Sequence, residues 1–314
     1  MSNTVTVLGA SGNIGKLLVA ELSRKGYLVK AVGRNKPNFN LPGVENLAVD
    51  YLDQNQLDCV SMGSQSVYML IGLDYKTKVW EKEWPPLISR IVLSCKNSGA
   101  KLIFFDNVYG YGLVEGPMLE SSPLRPETKK GKVRKVLDDI VLDAVEKAEI
   151  KAVIAKSADF YGPDITTSVL GDRFFKLLLE KNTFEWFGNP EKKHNFTFIN
   201  DIPASLISLA ESNYSGNINL PTGPALTGYQ FKQILEQVSG QKYKLTALRQ
   251  SAAWWLGFFM PILKELHEMM YQSENDYNLD SSKFESLFPN LKPTYYQEGF
   301  KQTFKWYKGT FKEG

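Results

Sequence analysis

The sequence is poor in the residues of metal and redox chemistry. Its 314 residues include two cysteines, Cys59 and Cys95, and two histidines, His194 and His267. Two isolated thiols make no disulfide framework, and neither pair has the close spacing of a metal site, so no metal is expected. An excess of charge of one sign is also missing. The formal net charge is +3, and the densest basic stretch is only Lys129-Lys130-Gly131-Lys132-Val133-Arg134-Lys135, so no nucleic acid is expected as a partner. Long apolar runs are lacking as well. Ala252 to Leu263 is broken by Gly257 and Pro261 and is too short to cross a bilayer. The first strand pattern, Thr4-Val5-Thr6-Val7-Leu8, follows the start with no cleavable apolar segment. These absences predict no membrane span and a cytoplasmic location. What remains is ordinary globular composition, 43% hydrophobic and 23% charged, long enough for one large or two modest domains.

The first half alternates β-rich runs with helical patterns, which predicts a parallel sheet covered by helices. Strands are expected at Thr4–Leu8, Leu28–Gly33, Asn46–Asp50, Ser66–Ile71, Lys101–Asp106 and Lys151–Lys156. Helices are expected at Asn13–Lys25, Leu87–Asn97 and Lys132–Ala148, with Gly26 and Gly99 closing the first two as C-cap glycines. Beyond about residue 160 the alternation breaks into short strands at Asn195–Ile199, Asn217–Leu220 and Tyr243–Ala247. Helices follow at Ile202–Glu211 and Tyr229–Ser239, then an aromatic helical tail around Trp254–Tyr271 and Tyr296–Lys308. The expected organisation is a nucleotide-binding domain over 1–162, with parts of 195–222 returning to it, and a smaller α+β substrate lobe over 163–314.

The strongest motif is Gly9-Ala10-Ser11-Gly12-Asn13-Ile14-Gly15, directly after a strand and opening a helix. Gly9 permits the tight turn and Gly12 lets the backbone approach a pyrophosphate. Gly15 lets helix and strand pack closely, with the helix N-terminus facing the phosphates. In this context the motif predicts a Rossmann-type doubly wound α/β fold that binds a dinucleotide, with Ser11, Asn13 and Ile14 among its contacts. NAD-binding chains place an acid at the end of the second strand, about 20 residues on. Here Gly33-Arg34-Asn35 offers Arg34, whose guanidinium suits a 2′-phosphate, so NADP is expected, with NAD the alternative. After the third strand, Asp50 is favoured as acceptor for the adenine amino group, with Tyr51 beside it, while Asp53 suits a helix cap. Ile71, closing the fourth strand, completes the candidate wall.

Gly9–Gly15, the acid after the third strand, Val108-Tyr109-Gly110 and Phe160-Tyr161-Gly162-Pro163 together resemble the extended short-chain dehydrogenase/reductases, and more narrowly the NAD(P)-dependent epimerase/dehydratase group. The resemblance extends to Asp201 and to Asp280-Ser281-Ser282-Lys283, so it spans the chain. It implies a Ser or Thr at the end of the fifth strand holding the substrate oxygen, and a Tyr-x-x-x-Lys pair transferring the proton and binding the nicotinamide ribose. This chain reads Phe105-Asp106-Asn107-Val108-Tyr109-Gly110, with Phe105 at the hydroxyl position. Lys130 stands in place of the tyrosine and Arg134 in place of the lysine. Lys130 is therefore expected either to exchange the proton or to bind cofactor, and Arg134 to bind ribose hydroxyls. Tyr109 and Tyr111 are nearby sources of a phenol.

Asp159, in the loop that passes the nicotinamide in similar proteins, is a further catalytic candidate. Tyr161 and His194 are candidate substrate contacts, and His267 reads as structural. The apolar segment Trp254–Pro261 suits first a core or an oligomer contact, with a substrate lid or a membrane-touching surface as the alternative. The expected partners are a small carbonyl or hydroxyl substrate and, in a homodimer, a second copy of the chain. Two functions remain open on the sequence: an NADP-binding, epimerase/dehydratase-like oxidoreductase with an altered catalytic set, or a non-catalytic cofactor-binding sensor or assembly protein on the same fold.

Overall fold

The computed structural model describes residues 3–166, 168–248 and 265–310, so the Trp254–Pro261 segment lies outside the described residues. The chain divides into two compact units, 1–112 with 124–156 and 202–219, and 113–123 with 157–201 and 220–314.

The first unit holds β1 (Thr4–Leu8), α1 (Asn13–Arg24), β2 (Leu28–Gly33), β3 (Val44–Ala48), α2 (Gln54–Ser61), β4 (Ser66–Met69), α3 (Thr77–Ser98), β5 (Lys101–Asp106), α4 (Lys129–Glu146) and β6 (Ala152–Lys156). These form the bulk of a seven-stranded sheet. β1, β2 and β5 begin and end where the sequence placed them. All its pairings are parallel, in the order β3-β2-β1-β4-β5-β6. A last strand, Gly216–Asn219, returns beside β6 after the helix Ile202–Glu211. β1, β4, β5 and β6 are buried along almost their whole lengths, as strands covered on both faces must be.

α3 is twice the length expected from its periodicity. Pro85 and Pro86 read as a break in sequence, because each removes a backbone donor and crowds the preceding turn. The helix runs through them because Trp80, Trp84, Leu87, Ile88 and Ile91 form one buried stripe. Two side chains occupy the carbonyls of the proline turn: Ser89 Oγ donates to Pro85 O, and Arg90 donates to Pro86 O. β3 lies two residues earlier than expected.

The second unit has an aromatic core, with Phe174, Phe175, Phe184, Trp186, Phe196, Phe231, Phe300 and Tyr307 among its members. Its strands are short. Phe160–Tyr161 pairs with Thr197–Phe198, and Thr183–Phe187 pairs with Lys244–Leu248, both parallel. Among the described residues, no helix is long and apolar enough to cross a membrane.

Candidate cofactor and catalytic site

β1 delivers the chain into the glycine turn at its carboxyl end. Gly9 sits at φ 83°, and the N–H groups of Gly9 and Ala10 both donate to Val32 O, at 3.0 and 3.1 Å. A side chain at Gly9 would place Cβ 2.6 Å from Leu70 O, and one at Gly15 would strike the Gly9 and Ala10 carbonyls. The fold itself needs these two glycines. Gly12 is different. Its φ of −71° suits any residue, and an added Cβ would meet only Gly9 O, at 3.4 Å. Packing therefore leaves the space above Gly12 free.

Directly beyond it α1 begins with no side-chain cap, so its first N–H groups and the positive end of its dipole face outward. Asn13 Nδ2 is buried there without a hydrogen-bond partner. An open cradle, uncapped donors and an orphaned amide fit an anionic pyrophosphate.

Around this loop, Arg34 leaves the end of β2 exposed, and among the described residues it makes no hydrogen bond or ion pair. Asp53 caps α2 by accepting from Asn55 N and Gln56 N. Asp50 accepts from Leu52 N and remains exposed. Tyr51 is buried, its hydroxyl accepting from Gly9 N and donating to Val32 O, both at 3.3 Å. Burial pushes that phenol's pKa up, so it stays a neutral donor. Ile71 is partly exposed, with its backbone against Gly9.

At the carboxyl ends of β5 and β6 the unit buries four charges. Lys156 Nζ, wholly enclosed, lies 2.7 Å from Asp138 Oδ2 and 3.5 Å from Asp106 Oδ2. Arg134 pairs with Asp106 at 3.0 Å, its guanidinium 4.4 Å from the Trp80 ring and 4.2 Å from the Trp84 ring. Two cations balance two carboxylates, which makes a dry site tolerable. Burial lowers the pKa of Lys156, but the Asp138 and Asp106 carboxylates together outweigh it and raise it. Burial raises Asp138 to about 6, against the pull of Lys156. Arg134 is thus held by Asp106 and two indoles. Tyr111 is also buried, with its hydroxyl donating to Asn219 Oδ1 at 3.2 Å.

Lys130 is fully buried at the start of α4. Its ammonium donates to Thr77 Oγ1 at 2.9 Å and lies 4.7 Å from the Tyr75 ring centroid. Tyr109 occupies the short 3₁₀ turn after β5 and stacks on Trp80.

In the second unit, Asp159 Oδ2 and His194 Nε2 come within 3.3 Å. His194 is buried and lies flat on Tyr277, with ring centroids 4.2 Å apart. Asp159 is partly exposed. Tyr161 is fully buried among Phe198, Tyr296 and Phe300, with its hydroxyl against Gly299. His267 stands in the second unit with its carbonyl accepting from Met270 N.

Comparison with known proteins agrees with the fold. Residues 5–220 match the model of the NAD dependent epimerase/dehydratase family. The chain belongs to that family. One curated member, a dTDP-6-deoxy-L-talose 4-dehydrogenase (NAD(P)(+)) from Kitasatospora kifunensis, is 26% identical over 264 residues, covering 77% of this chain and 81% of that protein. Among solved structures, UDP-glucuronic acid 4-epimerase from Bacillus cereus with UDP-glucuronic acid and NAD superposes with a TM-score of 0.77 at 19% identity, covering 98% of this chain and 99% of that one. DesIV, a dTDP-glucose 4,6-dehydratase from Streptomyces venezuelae with NAD and TYD bound, gives 0.78 at 18% identity over 99% of this chain and 98% of that one. Both neighbours hold NAD, and the fold is the family's Rossmann-type sheet.

Several residues packed around the candidates Lys130 and Arg134 and around Asp106 escaped sequence reasoning: Tyr75, Thr77, Trp80, Trp84, Asp138 and Lys156. One signal was present. Lys156 ends a strand that is otherwise apolar, and a charge buried on both faces requires a counter-ion. Asp138 falls on the apolar face of α4 between Leu137 and Val141, the same signal on a helix.

Proposed function

We propose that this family member is an NADP-dependent oxidoreductase acting on a small carbonyl or hydroxyl substrate, with a proton-transfer set unlike the family's usual one. Gly12 carries the cofactor half of this reading: it is the glycine of the loop that the protein's own packing does not need. A pyrophosphate would lie over Gly12, Ser11 and the α1 N-terminus. Arg34 would take the 2′-phosphate, Asp50 the adenine, and Tyr51 and Ile71 the adjoining wall. The dinucleotide, when bound, supplies or accepts a hydride. Support for NADP over the NAD of the neighbours comes from Arg34, exposed where an NAD site places an acid. Phe105, Lys130 and Arg134 at the usual catalytic positions support the altered set. Residues 163–314 would form the substrate lobe, with Asp159 and His194 orienting substrate. Tyr161, fully buried, would support the aromatic core beside them. The neighbours' ligands make nucleotide sugars the first substrates to try. Exposed Leu93 on α3 and Val136 on α4 favour a homodimer, which sedimentation would test.

A specific observation favours a second reading, a cofactor-binding sensor: Arg134, at the ribose-binding position, is committed to Asp106 and two indoles. NADPH consumption against a panel of carbonyl compounds and nucleotide sugars decides. Repeated turnover supports the oxidoreductase, whereas tight binding without turnover supports the sensor.

A further inference from the structure

β1, β4 and β5 are neighbours in the sheet, so the loops leaving their carboxyl ends open on one edge. In open parallel sheets that edge is where ligands bind. Two phenols stand on it. The Tyr75 hydroxyl donates to the Tyr109 hydroxyl at 3.3 Å, and both side chains are half-buried. Tyr109 is fixed by its N–H, which donates to Asn107 Oδ1 at 3.0 Å, and by the Trp80 ring stacked on it. Tyr75 packs edge-on to the same indole at 5.4 Å. Behind the pair stands the Lys130 ammonium, over the Tyr75 ring and bonded to Thr77.

We propose that Tyr109 is the proton donor of this site, refilled through Tyr75, with Lys130 as a positioning charge. The inference rests on the oxidoreductase reading above. Other groups at this edge are poorly suited. Phe105 has no transferable proton, and Arg134 does not release one at neutral pH. Asp106 is locked between two cations, and Lys130 is enclosed behind Tyr75. The phenol pair combines a dissociable proton with partial exposure.

The step balances simply. A carbonyl carbon takes up a hydride, with its electron pair, from the reduced nicotinamide dinucleotide. The Tyr109 O–H bond breaks, and its proton forms the new O–H bond of the alcohol. The Tyr109 phenolate then draws the proton of Tyr75, which is replaced from solvent. The Lys130 ammonium stabilises negative charge on the pair while it passes through. In the oxidising direction the same phenols accept the proton.

The test uses the full chain as unmutated protein and as Tyr109→Phe, Tyr75→Phe and Lys130→Met. NADPH turnover is measured on the carbonyl and nucleotide-sugar panel, and NADPH affinity by energy transfer from tryptophan. Phenylalanine keeps the ring on Trp80, so folding, checked by thermal melting, is retained. Tyr109→Phe is expected to lower kcat roughly 10²–10⁴-fold with cofactor affinity unchanged. Tyr75→Phe lowers kcat less, and Lys130→Met displaces the pH profile of kcat, which a merely structural lysine would not do. Normal turnover by Tyr109→Phe overturns the inference and leaves the oxidoreductase reading standing. Weakened NADPH binding with kcat intact also overturns it, since the phenol is then a cofactor contact. Absence of turnover by the unmutated protein on every compound overturns the oxidoreductase reading and the inference with it.

Discussion

Replacing Gly12 by valine separates what the fold needs from what the ligand needs. The backbone at Gly12 is extended, φ −71° and ψ 167°, a conformation valine adopts freely. Its Cβ would meet only Gly9 O, at 3.4 Å, so the folded state accommodates the side chain with little displacement. Valine is a poorer N-cap than glycine, a cost of about 1 kcal/mol, partly offset because glycine loses more backbone freedom on folding. Cofactor binding should respond very differently. The isopropyl group would occupy the approach to the uncapped N–H groups of α1. Each charge-assisted hydrogen bond denied to a pyrophosphate is worth about 1.5–3 kcal/mol, so losing two weakens binding roughly 10²–10⁴-fold. Gly15→Ala is the contrasting variant, because its Cβ runs into the Gly9 and Ala10 carbonyls and disturbs the fold itself. Circular dichroism and thermal melting report folding, and fluorescence titration with NADPH reports binding. A Gly12→Val protein that melts normally and binds NADPH as tightly as the parent would refute the assignment of the phosphate loop.

Further outcomes are expected elsewhere. Arg34→Ala should cost NADP one charge-assisted contact, about tenfold to a hundredfold in affinity by calorimetry, and leave NAD affinity nearly unchanged. Lys156→Met leaves Asp106 and Asp138 buried without their shared cation, so denaturant unfolding should show a loss of about 3–5 kcal/mol. Glu236 accepts from Lys232, Tyr243 N and Lys242, and its pKa is held at about 2, chiefly by Lys232. A depressed carboxyl contributes stability above the ordinary glutamate value of 4.5, and that stability is lost as pH falls from there toward 2. Glu236→Gln should therefore flatten the melting temperature across that window, and an unchanged profile would show that the cluster contributes nothing.

The sheet was largely legible because its signals are local. Thr4–Leu8, Leu28–Gly33 and Lys101–Asp106 are short apolar runs bounded by breakers, and their ends agree with the structure. The first half of α3 was not legible, because the proline pair is a strong local signal that a buried tryptophan stripe overrides. Lys156 and Asp106 lie 50 residues apart, and no periodicity links them, so the buried charge network appears only when β5, β6 and α4 come together. Lys130 and Arg134 were singled out by the family resemblance, which sets them against its Tyr-x-x-x-Lys pair. Their side-chain partners, Thr77 and Tyr75 for one and Asp106 with two indoles for the other, depend on the β4–α3 and β5 ends and could not be read from spacing. In the second unit, Asp159 and His194 were singled out separately, and their approach to 3.3 Å is a tertiary fact.

We propose that the glycine loop and Arg34 form one dinucleotide site that prefers the 2′-phosphorylated cofactor. Isothermal titration of the unmutated protein with NADP and with NAD, under one buffer and salt concentration, tests it most directly. One site per chain and tighter binding of NADP are expected. Equal affinities, or tighter binding of NAD, would contradict it.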